Sequence, residues 1–112
     1  MAETLGQRIR RMRDGKFGLR EMAKMLEISP AYLSRIETNE EKNPPAEELL
    51  QKIADLLGDD FDKLMSLAGR VSTDVKEYIT QDEGLPQFLR TARQQGLTSR
   101  DLGEMLKHKG KK

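Results

Sequence analysis

The 112-residue chain has no cysteine, no tryptophan and a single histidine, His108. Disulfides and thiolate metal sites are thereby excluded, and one imidazole leaves little for acid–base or metal chemistry. Aromatic residues make up only 4% of the chain, against 36% hydrophobic and 35% charged residues. That balance suits small helices with long charged faces better than a β-sandwich rich in valine and aromatics. No apolar run approaches the roughly 18 residues that span a bilayer, and the N-terminal MAETLGQRIR lacks the apolar centre of a signal peptide. The expectation is a cytoplasmic all-α protein of about one domain, since domains commonly run to roughly 100–150 residues. The sequence carries no nucleophile with a partnering base, no glycine-rich phosphate loop and no metal-ligand spacing, so neither an enzyme nor a cofactor is expected.

What the chain does have is charge, and it is unevenly placed. The net charge is only +1, yet residues 1–35 carry eight Lys/Arg against four Asp/Glu, residues 36–62 two against nine, and residues 63–112 ten against six. A basic block followed by an acidic one gives a folded domain one face for polyanions and one turned away from them, unless the charge merely fluctuates along a solvated surface.

Apolar periodicity places the helices. Leu5, Ile9 and Met12 recur at helical spacing with arginines between them, an amphipathic helix with a basic outer face that Asp14-Gly15-Lys16 should end. Leu19, Met22, Ala23 and Leu26 repeat the spacing over two turns, closed by Glu27-Ile28. Ser29 then stands at an N-cap with Pro30 at the first helical position, where its missing N–H costs nothing. In the segment SPAYLSRIE, residues 29–37, Leu33 and Ile36 share one side while Pro30, Ala31, Ser34 and Arg35 point elsewhere. TNEEKNPP, residues 38–45, reads as a loop. The stripe Ala46, Leu49, Leu50, Ile53, Ala54 and Leu57 predicts a fourth helix stopped by Gly58, and Phe61, Leu64, Met65 and Ala68 a fifth ending near Gly69.

Beyond Gly69 the pattern thins. Val75 and Ile79 suggest one short helix, and Leu85, Phe88, Leu89 and Ala92 another that stops at Gly96. Thr98 with Asp101 forms an approximate capping box ahead of Leu102, Met105 and Leu106, and the tail HKGKK is expected to fray. Met12, Met22, Met25, Met65 and Met105 are expected to fill core, and His108 to be solvated. Residues 89–106 echo residues 9–26 in the order helix, arginine, glycine turn and short helix, which two amphipathic helices around a glycine turn would produce without any duplication.

A short helix, a tight turn and a helix with one free face form the arrangement that enters a DNA major groove about 12 Å wide. Residues 5–68 resemble the Xre-type helix-turn-helix domain, related to the phage Cro and repressor domains, in helix spacing, Ala23, SPAYLSRIE and the stripe of the fourth helix. The resemblance implies a five-helix lambda-repressor-like DNA-binding domain over residues 1–69. Residues 70–112 would be a helical extension for dimerisation or partner binding with a disordered tail. It further implies that Ser29, Pro30, Ala31 and Arg35 face the groove, with Tyr32 and Ser34 nearby. Arg35 has donors for guanine O6 and N7, Ala31 is small enough for a thymine methyl, and the hydroxyls can reach phosphate or base edges.

Leu19 and Arg20, at the start of the second helix, would abut the phosphate backbone, and Lys42 and Asn43 would add phosphate contacts from the following loop. Arg13 and Glu37 match positions that form a buried ion pair in the phage relatives. Three features depart from the family pattern. Leu19 replaces a frequent glutamine, the DGKFG loop is about one residue short, and Glu27 stands where the turn glycine is usual. Glu27 must therefore adopt a left-handed conformation or mark a different turn.

The implied function is a sequence-specific transcriptional regulator, a repressor that binds palindromic double-stranded operator DNA as a homodimer, without membrane association. Two alternatives stand beside it: the antitoxin of a toxin–antitoxin pair, and a helical protein-interaction module without specific DNA binding.

Overall fold

Local capping chemistry sets the helix boundaries in the computed structural model, which describes residues 2–110. Thr4 Oγ1 accepts from the Gln7 N–H at 3.1 Å while Gln7 Oε1 accepts from the Thr4 N–H at 2.9 Å, and this reciprocal box starts α1, Leu5–Arg13. Next come α2, Leu19–Leu26, and α3, Pro30–Glu37, the latter opened by Ser29 Oγ accepting from the Tyr32 N–H at 3.1 Å. Two further helices follow, α4 over Glu47–Leu57 and α5 over Phe61–Leu67, and then α6 over Thr73–Gln81, α7 over Gly84–Gln94 and α8 over Ser99–Gly110. All regular structure among the described residues is helical.

The chain forms two compact units, Met1–Ser72 and Thr73–Lys112. The segment just past Gly69 stays with the first unit because Arg70 donates to the carbonyls of Pro45 at 2.7 Å and Pro44 at 3.1 Å. In the second unit α6 packs on α7, Ala92 is buried, and the Thr98–Asp101 capping box opens α8. The tail expected to fray is helical through Gly110, a continuation of the helix that Thr98 caps; Lys111 and Lys112 lie outside the described residues.

The first unit encloses one core in which Ile9, Met22, Leu33, Leu50, Ile53 and Leu64 are fully buried. Met22 and Met65 fill it, and Met12 packs at its edge. Met25 and Met105 do not: half of each is exposed. At roughly 100° per residue, Met25 falls well off the face that Met22, Ala23 and Leu26 share, so the general tendency of methionine to fill core overstated its burial.

Three contacts fix α3 against α1. A Cβ on Gly6 would overlap the carbonyl oxygens of Ile36 and Glu37, so glycine is what lets α1 approach the end of α3 this closely. Asn39, left-handed with φ 62°, accepts from the Gly6 N–H at 3.3 Å and donates to Thr4 Oγ1 at 2.9 Å. Arg13 and Glu37 form a bidentate pair, Nε and Nη2 donating to the two carboxylate oxygens at 2.7 and 2.9 Å. The Arg13 and Glu37 side chains are only 11% and 5% exposed, and Arg13 Nη1 also donates to the Phe17 carbonyl at 3.1 Å.

Two further features of this unit were not expected or were left open by the sequence. Arg8 donates through Nε and Nη2 to Asp59 at 2.8 and 2.7 Å, tying α1 to the corner between α4 and α5. Glu27 takes the left-handed conformation, φ 61° and ψ 39°, with the Ile28 N–H bonded to the Ala23 carbonyl and the Glu27 N–H to that of Lys24. This is a Schellman ending built on a residue with a Cβ, which pays a steric penalty that glycine would not.

Three outcomes are expected. Glu27→Gly should stabilise the protein by about 0.5–1 kcal/mol, the relief of left-handed strain exceeding the added freedom of the unfolded chain, read as a higher urea midpoint. Glu37→Ala should destabilise by about 2–4 kcal/mol because it strands the Arg13 guanidinium, whereas Arg13→Met with Glu37→Leu should recover much of that in the same urea titration. The hydrogen bond from Arg8 holds the Asp59 carboxyl below the usual aspartate range, against the opposing effect of burial. A depressed pKa contributes stability above the unfolded value, about 3.9, and loses it as pH falls through the folded one. Below about pH 4 the wild-type urea midpoint should therefore fall more steeply than that of Asp59→Asn.

Candidate nucleic-acid interface

α2 and α3 are joined by a turn of only three residues, Glu27 to Ser29, and both are anchored from within by the core residues Met22, Leu26, Leu33 and Ile36. Burying those side chains turns the opposite face of α3 outward. Ser29, Pro30, Ala31 and Arg35 are exposed there, while Tyr32 and Ser34 are half-buried at its margin. The Ser29 hydroxyl oxygen already accepts from the Tyr32 N–H, which leaves its O–H free to donate. Ala31 offers a methyl with no polar group.

Arg35, which the family resemblance places toward the groove, is exposed and already has partners. Its Nε donates to Glu41 Oε2 at 2.8 Å, and its guanidinium carbon lies 5.8 Å from the centre of the Tyr32 ring, within reach of a cation–π contact. Glu41 belongs to the loop after α3, and nothing in the spacing of the sequence links it to Arg35. The sequence signal that could have raised it is the acidic run Glu40-Glu41 a few residues beyond an exposed arginine.

At the start of α2, Leu19 turns its side chain onto the core, so only its backbone N–H faces the helix end. This agrees with the role expected of Leu19, whose amide rather than its side chain would meet phosphate; the apolar group gains more by covering the core. Arg20 is exposed beside it. Glu21 sits in the same turn and accepts from the Gly18 N–H at 3.3 Å, placing a negative charge next to the amides that would receive a phosphate. Lys42 and Asn43 are both exposed in the loop.

The basic outer face expected of α1 is largely neutralised. Arg8 pairs with Asp59, Arg11 with Glu3 at 2.6 Å and Arg13 with Glu37, while Lys16 donates to the Leu57 carbonyl at 3.0 Å, at the negative end of α4. Among the described residues, Arg10, Arg20 and Lys24 are the cations of residues 1–35 that make no ion pair or side-chain hydrogen bond. The excess positive charge of that block is spent mainly on internal contacts. No helix among the described residues is long and apolar enough to cross a membrane.

Among curated proteins none matches the chain. Two solved structures are similar to it. One is the biofilm master regulator SinR in complex with DNA, 33% identical over 55% of this chain and 98% of that one, with a TM-score of 0.50. The other is a complex of the SinR and SinI proteins, 26% identical over 96% of this chain and 95% of that one, also with a TM-score of 0.50. A family model described as a helix-turn-helix domain matches residues 6–70, the span from the glycine that admits α1 against α3 to the arginine that clamps the loop after it. The chain belongs to this helix-turn-helix family, as the resemblance of residues 5–68 to Xre-type domains implied.

Proposed function

We propose that this protein is a sequence-specific DNA-binding transcriptional regulator that inserts α3 into the major groove. The observation that carries the reading is the outward face of α3, where Ser29, Pro30, Ala31 and Arg35 are exposed on a helix whose other side is clamped by Leu33, Ile36 and the Arg13–Glu37 pair. A helix about 10–12 Å across fits a groove about 12 Å wide, and a rigid mount keeps its side chains in register with base edges. Likeness to SinR bound to DNA supports the same reading. Arg35 reads guanine, Ala31 meets a thymine methyl, and Ser29, Tyr32 and Ser34 reach phosphate or base edges. Arg20, Lys42, Asn43 and the amide of Leu19 hold the backbone.

One helix reads few base pairs, so the operator is a palindrome bound by a homodimer, with half-sites about 34 Å apart, and occupation of a promoter by that dimer represses it. The unit Thr73–Lys112 supplies the dimer or partner contact. In support, it exposes Val75, Tyr78, Phe88, Met105 and Leu106, and the SinR–SinI complex to which nearly the whole chain is similar is an assembly of two proteins.

Selection from random duplex DNA at fixed salt tests the proposal. An inverted repeat should be enriched, and Arg35→Ala should lose about 1–3 kcal/mol of discrimination at one base pair per half-site while leaving the rest of the motif intact. Recovery of no motif would sink the reading, because non-specific affinity reports phosphate contacts alone.

A further inference from the structure

A long, flexible arginine that must be ordered before it can contact a base gives up part of the contact in lost side-chain freedom. In the unbound protein Arg35 is already held at two points. Glu41 holds its Nε at 2.8 Å, and the Tyr32 ring supports the guanidinium from one side at 5.8 Å. The tie uses Nε alone. Among the described residues neither Nη1 nor Nη2 has a hydrogen-bond partner, so both terminal nitrogens stay open. Together they make the end-on fork that matches guanine O6 and N7.

The carboxylate that grips Nε stands on a fixed backbone. Asn39 is latched to Thr4 and Gly6, the Glu40 N–H bonds to the Arg35 carbonyl at 2.9 Å, and Arg70 holds the carbonyls of Pro44 and Pro45. The loop is thus tied to the body of the domain on both sides of Glu41. On the other side, Tyr32 is half-buried against the core.

We propose that Glu41 is a positioning residue that pre-orients Arg35 for end-on recognition of guanine and so sets base discrimination at one position of the operator. The proposal rests on the reading of α3 as the DNA-reading helix. Its consequence is particular: only a site with guanine at that position engages the fork, so only that site gains from having it ordered in advance. General affinity responds in the opposite sense, because the Glu41 carboxylate repels the phosphate backbone and its removal favours any duplex.

The test uses the full-length chain at one salt concentration and three duplexes: the selected operator, the operator changed at the base pair that Arg35→Ala shows to be read, and an unrelated sequence. Glu41→Ala should cut the preference for guanine by about two- to ten-fold, the range expected when one rotamer-rich side chain must be ordered on binding. Affinity for the unrelated duplex should hold or rise. Glu41→Gln should keep most of the preference, since its amide oxygen still accepts from Nε. In the Arg35→Ala background, Glu41→Ala should change the preference no further.

If Arg35→Ala abolishes the preference but Glu41→Ala leaves it unchanged or raises it, Glu41 is a bystander or a competitor and the proposal is wrong while the DNA-reading role of α3 stands. Equal loss in Glu41→Gln and Glu41→Ala would overturn positioning through a hydrogen bond. If no motif is selected at all, or Arg35→Ala leaves it intact, the reading of α3 or of Arg35 fails and this proposal falls with it. Thermal melts of the variants by circular dichroism separate these outcomes from loss of fold.

Discussion

The contact between Arg13 and Glu37, together with the close passage of Gly6 over the last carbonyls of α3, decides where that helix lies. Apolar packing alone would leave α3 some freedom to roll, because Leu33 and Ile36 are the only fully apolar anchors on its inner face. A bidentate guanidinium–carboxylate pair is directional in a way that apolar contact is not, and a buried one tolerates little displacement before each charge loses its partner. Such pairs add little net stability over a well-packed apolar alternative, since desolvation offsets most of the attraction. The gain here is geometric. One end of α3 is tied to α1 through Glu37 and Asn39, the middle rests on the core, and the start is set by Ser29 and Pro30.

The same economy governs the charges. A count along the chain suggests a basic N-terminal surface, yet the fold consumes most of those cations in joining elements: Arg8 to the α4–α5 corner, Arg11 to the N-terminal segment, Arg13 to α3. The acidic middle of the sequence is therefore not simply a face turned away from DNA. Asp59 and Glu37 are partners of α1, and Glu41 is the partner of the arginine that faces outward. A domain wired in this way would bind polyanions weakly at random and rely on a few placed contacts, which favours discrimination over bulk attraction.

Helix starts were legible because they depend on residues close together in the chain. Ser29 with Pro30, and Thr98 with Asp101, each act within one turn, whereas the equally local Thr4–Gln7 box emerged only with the structure. Helical periodicity also picked out which sides of α3 and α4 turn inward. Residue type alone failed for Met25 and Met105, because burial depends on the centre of an apolar face and on what lies opposite it. The turn at Glu27 was legible only as a choice between two conformations, and the Schellman bonds to Ala23 and Lys24 select the left-handed one.

Sequence alone determined the all-helical class, the order of the helices, the ends of most of them and the outward set on α3, since these follow from propensity, capping and a 3.6-residue period acting over short spans. The tertiary structure decided what each charged group does. Arg8 meets Asp59 across 51 positions and Arg13 meets Glu37 across 24. Arg35 and Glu41 are near in sequence, but they meet only because Asn39 reverses the chain and the loop is tied down. Charge pairing has no period along the chain, so apart from Arg13 and Glu37, which the family resemblance singled out, only the packed arrangement of helices shows which arginines are structural and which remain free to face a ligand.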